Sequence, residues 1–287
     1  MPARMLVGRS PTCFLRINEE RVSGEHALLQ WTGDHWTVRD LGSRNGTYLD
    51  GRRLEVGSTE TCRAGAKIAF GDPKATHTLS DAGPPTAVAV ELKSRQVVEA
   101  TNGLLALPSA ESPDTVIYPD DQGVWVQESK GEMAPAEDQE VLYLDNQGWC
   151  LFLPGEATVT PLVHAEKTLA GVSFQFEVSR DEEHVVLSLQ HGKDITRLEP
   201  REHHYVLLVL ARARAKDAEL PPAERGWVDK DELQRMLRMR ANAMNVAIHR
   251  ARQQLADAGM VGAAGIVEVR RGLRRFGTDR FEERPLE

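Results

Sequence analysis

The hydrophobic period of this chain changes once, near Pro200, and that change limits what it can fold into. Before it, short apolar runs separated by Gly, Asn, Asp and Pro alternate with a period of two, the pattern of half-buried strands. After it, apolar residues recur at three and four, as on the buried face of a helix. The 287 residues, 41% of them hydrophobic, suffice for two or three domains with separate cores. The expected fold class is multidomain: all-β N-terminal and middle parts, followed by an α+β C-terminal part.

The runs HALLQW, HWTVRDL, GTYLDG and AKIAFGDP define an antiparallel β domain over residues 1–82, closed by the stiff Pro84-Pro85 pair. Residues 86–160 carry a second set of strand-like runs, in which Trp125 and Trp149 read as core. EATVTPLVHAEKT reads as a linker. Residues 170–287 begin with the strands VSFQFEVS and HVVLSLQH. A helix then follows Pro200, with Tyr205, Leu208, Val209 and Arg212 on one side. DKDELQRMLRM opens with acids and closes with Arg238 and Arg240, which suits the helix dipole. A third helix runs from Ala241 to Gly259, and IVEVRRGLRRF has the alternation of a hairpin.

Charge is distributed unevenly. Residues 75–165 hold 3 basic and 14 acidic side chains, whereas between Arg235 and Arg275 nine arginines face only Asp257 and Glu268. Separate surfaces for separate partners follow from this, and the acidic middle part is of the right sign to cover the basic C-terminal part in an inactive state. Cys13, Cys62 and Cys150 stand singly, so neither a disulfide framework nor a metal site is expected. No apolar leader or membrane-length run is present, and a soluble, cytoplasmic protein is expected. No nucleophile triad, paired-carboxylate motif or phosphate-cradling glycine loop appears, so neither an enzyme nor a cofactor is expected.

Three separated motifs carry the strongest signal: Gly8-Arg9, then Val22-Ser23-Gly24-Glu25-His26, then Asp40-Leu41-Gly42-Ser43-Arg44-Asn45-Gly46-Thr47. A dianionic phosphate needs charged and hydroxyl donors from several loops, and Arg9, Ser23 and Arg44 supply two guanidinia and a hydroxyl. In order and spacing the motifs resemble the forkhead-associated (FHA) domain, a β-sandwich whose loops bind phosphothreonine peptides. The resemblance implies a phosphate clamp of Arg9, Ser23 and Arg44, with a backbone N–H from Gly24. It further implies Asn45 on the ligand main chain, Arg21 choosing a residue C-terminal to the phosphothreonine, and His26, Gly46 and Thr47 as structural braces. The partner is then a phosphothreonine-containing protein of a Ser/Thr kinase pathway. One departure stands out, since only MPARMLV precedes Gly8 where the family has an earlier strand. Either the first strand is very short or another segment takes its place at the sheet edge. The spacing of GVWVQES and QGWCLFLP is similar enough to the first domain to suggest a degenerate FHA-like sandwich at 86–160, without a phosphate site.

The C-terminal order of strands, three helices and a Gly-containing hairpin resembles the winged helix of OmpR/PhoB-type DNA-binding domains, with MNVAIHRARQQL as recognition helix and IVEVRRGLRRF as wing. On the third helix, Met244, Ala247, Ile248, Ala251 and Leu255 should face the core, and Asn242, Asn245, His249 and Arg252 should face outward to read base edges. Arg250 and the wing residues Arg270, Arg271, Arg274 and Arg275 suit phosphates. Gln253-Gln254 and Arg274-Arg275-Phe276 depart from the family pattern. The resemblances together imply a bacterial transcription regulator that docks a phosphorylated partner and binds double-stranded DNA, acting as a homodimer if it follows the pairing common in such domains. The alternative is a phosphorylation-dependent adaptor whose winged helix binds protein.

Overall fold

The computed structural model of the chain describes residues 1–155 and 167–286, so most of the segment read as a linker lies outside the described residues. These residues divide into two compact units, one of residues 1–88 with 152–155 and one of residues 89–151 with 167–286. Where the sequence suggests three parts, the second and third are joined by contacts between them.

In the first unit the strands are β1 (Arg4–Gly8), β2 (Leu15–Arg16), β3 (Ala27–Trp31), β4 (Trp36–Asp40), β5 (Thr47–Leu49), β6 (Arg52–Arg53), β7 (Thr59–Cys62), β8 (Lys67–Phe70) and β9 (Thr76–Thr78). They form a five-stranded sheet, β2-β1-β3-β4-β7, and a four-stranded sheet, β6-β5-β8-β9. Alternate residues point inward, so Met5, Val7, Ala27, Leu29, Trp36 and Val38 of one sheet share a core with Leu49, Ile68 and Phe70 of the other. The edge question is resolved by β2, which pairs parallel with β1 at Val7↔Leu15 and Gly8↔Arg16. A segment that follows β1 in the chain thus occupies this edge.

The middle strands are β10 (Val88–Glu91), β11 (Val97–Glu99), β12 (Leu105–Leu107), β13 (Thr115–Pro119), β14 (Trp125–Ser129), β15 (Glu132–Pro135), β16 (Val141–Leu144) and β17 (Gln147–Phe152). They form the sheets β11-β10-β17-β16 and β12-β13-β14-β15. The second of these is a simple meander, and the first joins a hairpin from each end of the segment. That order differs from the order in residues 1–88, so the resemblance of spacing reflects recurring hairpins and not a repeated topology. Trp149 is core as expected, whereas Trp125 is only half-buried.

The remaining elements are β18 (Lys167–Thr168), β19 (Ser173–Val178), β20 (Val185–His191), β21 (Asp194–Arg197), α1 (His203–Lys216), β22 (Val228–Asp229), α2 (Lys230–Leu237), α3 (Ala241–Asp257), β23 (Met260–Val261), β24 (Val267–Arg270), β25 (Leu273–Phe276) and β26 (Phe281–Pro285). The sheet β21-β20-β19-β26 and the three-stranded sheet β22-β25-β24 flank the helices. Helix α1 packs against α3, β20 and β25, which explains why it buries Val206, Leu207, Leu210 and Ala211 as well as Leu208 and Val209. Of the four residues placed on one side of it, Leu208 and Val209 are buried and Tyr205 and Arg212 half-buried. Helix α2 starts at its Asp229 cap, whose carboxylate accepts from the Asp231 and Glu232 N–H groups. It stops one turn earlier than the basic residues suggest, because Arg238 adopts a left-handed conformation (φ 54°), leaving only Arg235 in the last turn. Hairpin β24–β25 turns through Arg271 (φ 49°) and Gly272 (φ 80°), the pair of positive angles that a two-residue hairpin with the native twist requires.

At the centre of this core the fully buried Phe276 ring sits 5.4 Å from Phe174, 5.9 Å from Phe176 and 5.5 Å from Phe281, centroid to centroid. Phe276→Ala should therefore lower the stability of the second unit by about 3–5 kcal/mol, read as the shift of its denaturant midpoint. A loss under about 1 kcal/mol would mean that the ring does not tie strand to sheet as described.

Candidate functional site

Three loops at one end of the first sandwich, with the strand residues Gly8, Asp40 and Thr47 that flank them, carry the N-terminal motifs. Arg9 follows β1, Arg21 to His26 lie between β2 and β3, and Arg44 to Gly46 lie between β4 and β5. The loops are tied to one another by backbone: Arg9 N–H donates to Ser23 O at 2.9 Å and Ser10 N–H to Gly24 O at 2.9 Å. Gly8 is required for this approach, since a Cβ there would lie 2.2 Å from Gly24 O.

The ionisable groups underneath are fixed by burial. Asp40, 1% exposed, accepts from the Gly42 and Ser43 N–H groups, from Ser43 Oγ at 2.6 Å and from Thr47 Oγ1 at 2.7 Å. Burial works against its charge, but these four donors hold its carboxyl below the usual range. Ser43 Oγ in turn accepts from Gly46 N–H at 3.0 Å, so the turn that presents Arg44 and Asn45 is wrapped around one carboxylate. His26, fully buried, accepts from Ser23 N–H on Nδ1 at 3.0 Å and pairs through Nε2 with Gly46 O at 3.1 Å. Burial lowers its pKa, and the neutral ring with a proton on Nε2 fits both contacts. His26, Gly46 and Thr47 therefore brace the loops from below.

Above them the guanidinia of Arg9 and Arg44 are exposed, and neither is in an ion pair among the described residues. Ser23 Oγ accepts from Arg44 N–H at 3.1 Å, which leaves the hydroxyl proton free to donate outward. The Gly24 N–H has no partner among the described residues. Asn45 already uses Nδ2 on Arg21 O at 2.8 Å, and Arg21 is paired with Asp72 at 2.8 Å. The site thus gathers two free cations, one free hydroxyl and one free backbone N–H at a single rim. Asp40 and Asp72 belong to it although no reading of the sequence singled out their contacts.

The C-terminal candidates are arranged differently from expectation. Met244, Ala247, Ile248, Ala251 and Leu255 do face the core. Asn242 and Arg250 are exposed and Asn245 is half-buried, but His249 and Arg252, expected outward, are 3% and 1% exposed. The reason, at Arg252, is that this side of α3 meets β13 and β14. Arg252 Nη2 is 2.8 Å from the Glu128 carboxylate and stacks over the Tyr118 ring at 5.0 Å. Arg274, also expected to be free, is 2% exposed and lies 3.6 Å from the other oxygen of Glu128. Arg275 is held by Glu268 at 2.6 Å and by the face of Trp227 at 4.5 Å. Of the wing candidates, Arg270 and Arg271 remain exposed. Burial, with Arg252 and Arg250 nearby, pushes the His249 pKa down to about 4. Glu128 was not anticipated, although its place two residues after Val126 on the inward face of β14 is a signal: a carboxylate at an apolar position needs a buried cation.

Among the described residues no group of His, Cys, Asp and Glu is arranged to hold a metal ion, and no helix is long and apolar enough to cross a membrane. Residues 5–71 match the FHA domain family. Nibrin of Danio rerio is 41% identical over 66 residues, which cover 23% of this chain and 8% of nibrin. The FHA domain-containing protein FhaB of Mycolicibacterium smegmatis is 39% identical over 67 residues, 23% of this chain and 42% of that protein. Among solved structures, the N-terminal FHA domain of S. cerevisiae Rad53p in complex with a phosphothreonine peptide aligns with 24% of this chain and 56% of its own, at 30% identity and a TM-score of 0.23. The chain thus spans less than half the length of these curated relatives. Its residues 5–71 are an FHA domain.

Proposed function

We propose that the first unit binds phosphothreonine in a partner protein and that the C-terminal helices and hairpin bind double-stranded DNA, which together make a phosphorylation-responsive transcription regulator. The rim of Arg9, Ser23, Gly24 and Arg44, with its donors unspent, carries the first half of this reading. A phosphate dianion placed there gains hydrogen bonds to charged donors, each worth about 1.5–3 kcal/mol. The order of three helices followed by a hairpin with exposed Arg270 and Arg271, together with exposed Arg250 on α3, supports the second half. The adaptor reading is favoured by one observation: the side of α3 that carries Arg252 already meets protein, in the form of β13 and β14.

The peptide half is tested with a degenerate phosphothreonine peptide library, with the unphosphorylated library as control. Arg44→Ala and Arg9→Ala should each weaken binding by about 10–100-fold, the loss of one charged hydrogen-bond partner. Equal binding of both libraries would remove the reading. The clamp also predicts a pH dependence. His26 titrates below its ordinary 6.5 in the folded state and Asp40 below its ordinary 3.8, so the unfolded chain takes up protons first in both cases. Stability from His26 is complete above pH 6.5 and is lost as pH falls through its folded pKa, and that from Asp40 is complete above 3.8 and lost as pH falls through its own. The first unit should therefore unfold at lower temperature at pH 5 than at pH 7. His26→Gln should abolish that difference, and a difference of unchanged size in the variant would rule the histidine out as its source.

The DNA half is tested by fluorescence anisotropy of the full chain on random-sequence duplex across a salt series. Binding should fall as salt rises, and Arg250→Ala and Arg271→Ala, both at exposed positions, should weaken it and flatten the salt slope by about one unit each. Absence of binding at the lowest salt would leave the adaptor.

A further inference from the structure

We propose that the sheet β12–β15 is an intramolecular cover for the α3 and hairpin surface, with Glu128 occupying the place of a nucleic-acid phosphate between Arg252 and Arg274. The inference rests on the DNA-binding reading above.

Glu128 turns its two oxygens to two guanidinia, 2.8 Å from Arg252 and 3.6 Å from Arg274, as a bridging phosphate does. The cover does not use all that the surface offers. Arg252 Nε, Arg274 Nε and Nη1, and His249 Nδ1 are buried without a partner among the described residues. Such orphaned donors are costly, and three of them belong to the two guanidinia that share the Glu128 carboxylate. A surface with more N–H donors than its cover has oxygens fits a ligand richer in oxygen than a carboxylate, and a nucleic-acid backbone is such a ligand.

The join is also of a kind that can part. At its rim Asn102 Nδ2 donates to Asp257 Oδ1 at 2.6 Å, Asn242 Nδ2 to Ser112 Oγ at 3.1 Å, and the Gly272 N–H of the hairpin turn to Gly131 O at 2.8 Å. Among the described residues, a small buried cluster joins the two apolar sides, Ala264 with Leu104, Val116, Tyr118 and Val126. The C-terminal core itself is a large and separate cluster, so the three helices and their sheets do not depend on the cover for burial. Polar, limited joins of this type permit relative motion of the parts. Charge agrees, since residues 105–135, which hold β12–β15, carry six acidic side chains and only Lys130 as a base.

The test uses the full chain, random-sequence duplex and, in parallel without DNA, amide hydrogen exchange of α3. Glu128→Gln should raise affinity at fixed salt by about tenfold or more and speed α3 exchange, and adding Arg252→Ala should remove the gain. Asn102→Asp, an exposed change that sets a carboxylate against Asp257, should act in the same direction despite its added negative charge. It keeps the inference testable if Glu128→Gln does not fold. Wild-type chain that binds DNA as tightly as both variants overturns the cover and leaves the DNA reading intact. Faster α3 exchange in the variants without DNA binding at the lowest salt overturns the DNA reading, and Glu128 as a phosphate stand-in falls with it.

Discussion

A guanidinium that is 1% exposed must have an acid close by, and for Arg252 that acid comes from a strand in another part of the chain, Glu128 of β14. The carboxylate is itself nearly buried, so each charge is tolerable only because of the other. Removing one partner of such a pair typically costs about 3–5 kcal/mol, whereas separating the two together returns both to water. The pair is therefore costly to break from one side alone and less costly to part when both charges reach water together. The second unit is organised around it, since Tyr118 stacks on the same guanidinium, Arg274 shares the same carboxylate and the β24–β25 turn reaches Gly131.

The first unit is organised around a second carboxylate, and the contrast is instructive. Asp40 is satisfied by hydroxyl and backbone donors within seven residues of itself, with no cation involved. Such an arrangement forms as the turn forms and has no open state to offer. It makes the rim rigid, so that ordering the loops costs a ligand little. The two carboxylates thus fasten different things, Asp40 a single turn and Glu128 two distant stretches of the chain.

The difference also explains what could be read from the sequence. The residues that share the rim are legible because they fall in three short motifs, and turns such as Asp50-Gly51 and Arg271-Gly272 declare themselves locally. The helices are legible from their period, although in α1 burial extends well beyond the stripe of Tyr205, Leu208, Val209 and Arg212 because α3, β20 and β25 pack around it. Arg252 was misread for a related reason. Helical periodicity separates the core stripe from the other stripe, but it does not say whether the other stripe meets water or a second sheet. The pairing of Glu128 with Arg252 joins distant positions, and only the lone carboxylate on the inward face of β14 hinted at it.

The two residues of β2 bear on how the first unit can meet other chains. By running parallel to β1 at Val7 and Gly8, and with Ile17 N–H donating to Gly8 O at 2.9 Å, they occupy the outward hydrogen-bonding positions beside the clamp. A visiting peptide cannot be captured there by extending the sheet. On the reading proposed above, recognition then falls to the exposed donors of Arg9, Ser23, Gly24 and Arg44 at the rim and not to sheet extension at this edge.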